Sequence, residues 1–212
     1  MNIYNVIILD ESGSMSSIYR ETLQSMNEVL SGIRKNQEEQ PDQQHNVTIV
    51  TFEGNGVKGV KTRRDRVPIE KVENFTEKDY RPGGCTPLYD AMGQTLNRLE
   101  GLVGEGDKVM ATVITDGYEN ASEEYSGKTI KALVTRLREK GWVLAYIGAN
   151  QDAVEVARDL NISNALNYDA SPEGMVMMSA RFRRASKRMS AFVACDAEPA
   201  VFDKLFDEDD DA

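Results

Sequence analysis

Three short words in the 212-residue chain set oxygen-bearing side chains beside predicted apolar elements. Asp10-Glu11-Ser12-Gly13-Ser14 follows the run Val6-Ile7-Ile8-Leu9, and Thr115-Asp116-Gly117 ends a second run. Arg81-Pro82-Gly83-Gly84-Cys85-Thr86 delivers a hydroxyl to the start of a helical segment. Together they offer two carboxylates, Asp10 and Asp116, and three hydroxyls, Ser12, Ser14 and Thr86. All five donors are oxygens, with no thiolate or imidazole, which suits a hard divalent cation and disfavours zinc or copper. Two carboxylates neutralise a doubly charged ion, and neutral hydroxyls add no further negative charge. Such an ion stays electrophilic enough to accept one more carboxylate from outside, which a cage of four carboxylates would repel.

These words can meet only if the surrounding elements carry them to one place. Apolar runs predict strands over residues 3–9, 47–52, 57–61, 108–115, 142–147 and 165–168. Helices are predicted over 18–35, 88–99, 129–140, 153–160 and 172–190. The first has Tyr19, Leu23, Met26, Leu30 and Ile33 on one face, and Gly141 stops the third. Thr86 is expected as N-cap of the second, with Pro87 at its first helical position. Glu53-Gly54-Asn55-Gly56 reads as a hairpin, so 57–61 becomes an antiparallel edge strand, while 63–82 shows no clear pattern. Strands alternating with helices predict an α/β fold, a Rossmann-like, doubly wound, mostly parallel sheet with helices on both faces. Its continuously apolar strands fit burial on both sides. Ligands of such sheets bind beyond the carboxyl ends of the strands, where all three words fall.

The set Asp10-x-Ser12-x-Ser14, Thr86 and Asp116 resembles the metal-ion-dependent adhesion site of von Willebrand factor A domains. So do the flanking words Ile8-Leu9-Asp10-Glu11-Ser12-Gly13-Ser14-Met15, Gly83-Gly84-Cys85-Thr86-Pro87-Leu88 and Ile114-Thr115-Asp116-Gly117. The resemblance covers roughly residues 3–190. It implies a six-stranded sheet with one antiparallel edge strand and no catalytic residues. It also implies a magnesium ion, or manganese or calcium, ligated by Ser12 and Ser14, and by Asp10, Thr86 and Asp116 directly or through water. The ion would bind a Glu or Asp carboxylate supplied by a protein partner. Glu11, Met15, Tyr118, Glu119, Asn120 and Asn150 are expected to line the surrounding loops. The lack of a leader-like start and the brevity of the chain look most like stand-alone intracellular bacterial or phage members, hence cytoplasmic. In the family, ligand engagement can move the last helix.

Other readings of the same residues compete. Ser12 and Ser14 also fit a helix cap, and Asp116-Gly117 a turn. Gly127-Lys128-Thr129 hints at a phosphate loop, but Ser122 stands where that pattern needs glycine. Asp10 fits a metal-dependent phosphohydrolase as an alternative, although Ser12 takes the place of the acid that would donate a proton. A third alternative is a scaffold acting through its acidic tail. His45, the sole histidine, is expected on the surface. Arg181, Arg183, Arg184, Lys187 and Arg188 form either a solvated helix face or a dock for acidic chain.

Composition sets the bounds. Hydrophobic residues are 40% and charged residues 28%, within the globular range. Net charge is −10, of which the last 17 residues hold −7, with eight acids and one base. The mildly acidic remainder makes nucleic acid and anionic membrane poor partners. The longest apolar run, 142–147, is far below the roughly 20 residues of a membrane span. Two cysteines make no disulfide framework, which fits a reducing compartment. The expected organisation is a domain over 1–192 and an acidic, disordered tail over 193–212, with Val201-Phe202 and Leu205-Phe206 as an apolar cluster inside it.

Overall fold

A computed structural model describes residues 1–149 and 152–207. The strands are β1 (Asn2–Asp10), β2 (Gln44–Phe52), β3 (Val60–Pro68), β4 (Lys108–Thr115), β5 (Val143–Ala149) and β6 (Asn164–Tyr168). The helices are α1 (Tyr19–Glu39), α2 (Leu88–Glu100), α3 (Gly127–Glu139), α4 (Ala153–Asp159) and α5 (Pro172–Ala194). The six strands form one sheet in the order β3-β2-β1-β4-β5-β6. Only the β2–β3 pair is antiparallel. The predicted doubly wound fold is therefore the observed one.

Two apolar layers hold the helices on the sheet. Leu88, Met92 and Leu96 of α2 and Ile130, Val134 and Leu137 of α3 pack on Val6, Ile8 and Val113. On the other face, Met26, Leu30 and Ile33 of α1 and Met178 and Phe182 of α5 cover Ile7, Leu9 and Ile147. The central strands are buried on both sides, which is why they read as unbroken apolar runs.

Several boundaries differ from expectation, each for a local reason. The edge strand begins three residues later than predicted, because Gly56–Gly59 first makes a 3-10 turn. It then runs on through Lys61-Thr62-Arg63-Arg64-Asp65-Arg66, partly exposed throughout, so no apolar alternation announces it. His45 lies inside β2 rather than before it and is buried, not on the surface. Its ring meets Asn5 Nδ2 at 3.3 Å and Gln43 Oε1 at 3.2 Å. Burial lowers its pKa from 6.5 to about 4, with the Glu70 charge opposing.

Part of the expected tail is folded instead. Residues 193–207 fold back across the amino-terminal edge of the sheet, and Leu205 is 1% exposed beside Ile3, Met110 and Val143. Asn164 Nδ2 donates to Phe202 O at 2.8 Å, and its Oδ1 accepts from Leu205 N at 2.8 Å. Arg188 Nη1 donates to the carbonyls of Leu205 and Asp207, at 3.1 and 2.6 Å. One arginine of the basic helix face therefore docks the acidic segment, through its backbone. Lys187 and Arg183 instead pair with Glu39 and Glu28 of α1. The rest of the predicted tail, 208–212, lies outside the described residues.

Candidate metal centre

The strand order places β1 between β2 and β4, so the chain winds outward from β1 in both directions. Asp10 ends β1 and Asp116 follows β4, one on each side of this switch point. All three predicted words converge there. Ser14 Oγ donates to Asp116 Oδ1 at 2.6 Å and lies 3.2 Å from Ser12 Oγ. Asp10 Oδ1 accepts from the Ser12 amide at 2.7 Å. A Cβ placed on Gly117 would stand 3.9 Å from both Ser14 Oγ and Thr86 Oγ1, so the Thr86 hydroxyl faces the same spot. Among the described residues no group of three or more His, Cys, Asp or Glu could hold a metal ion.

The capping alternatives are not what these hydroxyls do. The 3-10 turn Gly13–Ile18 receives no side-chain cap from Ser12. Thr86 is not the N-cap of α2, and Pro87 occupies that position without a capping bond. The first turn of α2 is satisfied from across the site. Glu119 Oε2 accepts from Tyr89 N at 2.9 Å, and Ser122 Oγ from Asp90 N at 3.0 Å. A helix's first amides need such acceptors, and supplying them from elsewhere leaves Thr86 Oγ1 available.

The site is closed off below by the core. Asp10 is fully buried, and burial raises its pKa to about 6 against hydrogen bonds from Thr115 and Ser12. Asp116 is shifted upward by burial as well, with the Ser14 hydrogen bond opposing. A cation would favour the ionised form of both.

Other residues support the site, and of these only Asn120 was expected near it. Thr115 Oγ1 donates to Asp10 Oδ2 at 2.5 Å and accepts from Gly117 N at 3.2 Å. Tyr80 Oη donates to Asp10 O at 2.8 Å. Asp90 is buried in α2 and accepts from Glu123, Glu124 and Tyr125 amides at 2.7, 3.0 and 2.8 Å. Asn120 joins the loop to Thr86, its Oδ1 accepting from Thr86 N at 2.8 Å. Gly84 holds φ +65°, and a Cβ there would fall 2.7 Å from Gly54 N, so the loop needs glycine. Thr115 and Asp90 do carry a sequence signal, a polar residue inside an apolar element.

Of the residues expected around the centre, Tyr118 and Asn120 are exposed. Met15 is buried in the core instead. Glu11 is buried too, gripped by Arg63 Nη2 at 3.0 and 2.8 Å and by the Arg81 amide. It fastens the Thr86 loop and does not face outward. Glu119 is used to cap α2, and Asn150 lies outside the described residues.

A mostly parallel sheet with one antiparallel edge strand, and polar loops gathered at its switch point, defines a doubly wound α/β domain. The family model of the von Willebrand factor type A domain matches residues 6–186, and the chain belongs to this family. Solved structures share its fold at low identity. Proximal thread matrix protein 1 from the mussel byssus is 16% identical with a TM-score of 0.60, over 88% of this chain and 46% of that one. The pilus adhesin SpaC from Lactobacillus rhamnosus GG, in an open conformation, is 14% identical with a TM-score of 0.65, over 89% and 30%. The PilB minor pilin from Streptococcus sanguinis is 11% identical with a TM-score of 0.63, over 92% and 63%. The chain thus spans from under a third to under two thirds of these neighbours. A comparison with curated proteins gave no significant match. Among the described residues no helix is long and apolar enough to cross a membrane.

Proposed function

We propose that this domain is a non-catalytic protein-binding module whose ligand is captured through a divalent cation. The cation is held by Asp10, Ser12, Ser14, Thr86 and Asp116, directly or through water, and it accepts a Glu or Asp side chain from a protein partner. The carrying observation is the line of oxygens Ser12–Ser14–Asp116, drawn from two separate loops, with Thr86 facing it from a third. Magnesium binds oxygens at about 2.0–2.1 Å in an octahedron, which sets adjacent donors about 2.9 Å apart. The separations of 3.2 and 2.6 Å among Ser12, Ser14 and Asp116 bracket that spacing, which supports the reading. When bound, the ion supplies Lewis acidity toward an incoming carboxylate. Membership of a family whose domains often act as protein-interaction modules supports binding over catalysis. So does Ser12, which cannot serve as a proton-donating acid.

Titration calorimetry with magnesium and with manganese tests the reading. Binding by the native chain, lost in Asp10→Ala and in Asp116→Ala, is the expected result. Partner capture from native lysate should then vanish with chelator, and an aryl phosphate should not be hydrolysed. Native protein that gives no cation heat would overturn the proposal, and turnover lost in the same variants would favour the phosphohydrolase.

A further inference from the structure

Tyr168 closes β6 opposite Ala149, at the sheet edge that carries the candidate centre. It is 8% exposed, and its ring belongs to the apolar cluster that contains Leu9, Met15 and Ile114. Leu9 immediately precedes Asp10, Met15 follows Ser14, and Ile114 lies two residues before Asp116. The ring therefore lies on the same face of the sheet as the apolar residues that flank the oxygen donors. Its hydroxyl is buried and meets no hydrogen-bond partner among the described residues. Tyr80, in the same cluster, spends its hydroxyl on the Asp10 carbonyl. A buried hydroxyl without a partner is costly and uncommon in native folds. Burial is the first cause raising the phenol's pKa, and the charges of Asp116 and Asp10 come next, so it stands within their field.

We propose that the Tyr168 hydroxyl is a positioning group of the cation centre, accepting a hydrogen bond from a water in the cation's shell. The inference rests on the cation reading above and adds a residue to it. Magnesium keeps several waters when bound to protein. A cation sharpens the acidity of its waters, which makes them strong donors in need of acceptors. A phenol oxygen can accept as well as donate. Groups that orient such a shell commonly alter metal affinity by about 10–100-fold when removed.

The test compares the full chain with Tyr168→Phe, by magnesium calorimetry and by thermal unfolding without cation. The phenylalanine variant should keep or raise the cation-free midpoint, because the deleted group has no partner there. Its magnesium affinity should fall about 10-fold or more. The near-ultraviolet tyrosine spectrum should change on magnesium addition in the native chain, with that component missing from the variant. Unchanged affinity would overturn the inference and leave the cation reading standing. A lowered cation-free midpoint, or failure to fold, would overturn it too, by showing a purely structural hydroxyl. Native chain that binds no magnesium would remove both.

Discussion

Asp10 and Glu11 are adjacent carboxylates, both fully buried, with different partners. Asp10 is held by the Ser12 amide and the Thr115 hydroxyl beside the other candidate donors, whereas Glu11 is taken up by Arg63 and the Arg81 amide. Breaking one side of a buried ion pair strands the other charge, at about 3–5 kcal/mol. Glu11→Ala should therefore lower unfolding stability in urea by about that much, far more than loss of an exposed partner-contact residue would. His45 gives a pH signature. Its folded pKa of about 4 lies below its unfolded value of 6.5, so the unfolded chain takes up the proton first as pH falls. Stability should drop between those values, by up to about 3 kcal/mol, and this contribution should be flat above pH 6.5. Glu70 is the charge that softens the effect. His45→Gln, able to keep both hydrogen bonds, should unfold with a shallower pH dependence over that window.

At the level of elements, α2 depends on a loop that belongs to β4. Its first turn is capped by Glu119 and Ser122, and its Asp90 carboxylate gathers three amides of the same loop. Asp90→Ala leaves those amides without an acceptor in a partly buried setting, where each orphaned group costs about 1–3 kcal/mol. The variant should unfold at least about 2 kcal/mol more easily. It should also bind magnesium more weakly, because Asn120 ties that loop to Thr86. Elements with strong apolar periodicity were legible in the chain: β4 was expected at its observed bounds, and α3, expected over 129–140, spans Gly127–Glu139. The edge strand β3 was legible only as a turn followed by an antiparallel run. Its polar, half-exposed residues obey the hydrogen-bond ladder of β2, a long-range template that local sequence does not encode.

Across the whole molecule, two distant edges of one sheet have separate tasks. The candidate centre occupies the carboxyl edge, while 193–207 seals the amino edge against Ile3, Met110 and Val143. Leu205→Ala should cost about 2–5 kcal/mol, the range for emptying a buried leucine site. Magnesium affinity should stay unchanged, since the cavity opens at the far end of the strands. Calorimetry and urea unfolding on the same variant separate the two effects. A scaffold working through its tail would instead lose partner capture in this variant while keeping cation binding.

Periodicity and word order were enough to specify the α/β class and the sheet edge at which the five candidate residues gather. They act locally: apolar spacing selects strand or helix, and the end of a strand places the residues after it. The uses of Glu11, His45, Thr115, Asp90 and residues 193–207 became definite only in the folded chain. Each is set by partners 33 to 105 positions away or by burial under a distant element, and a buried polar group is defined by the neighbour that satisfies it.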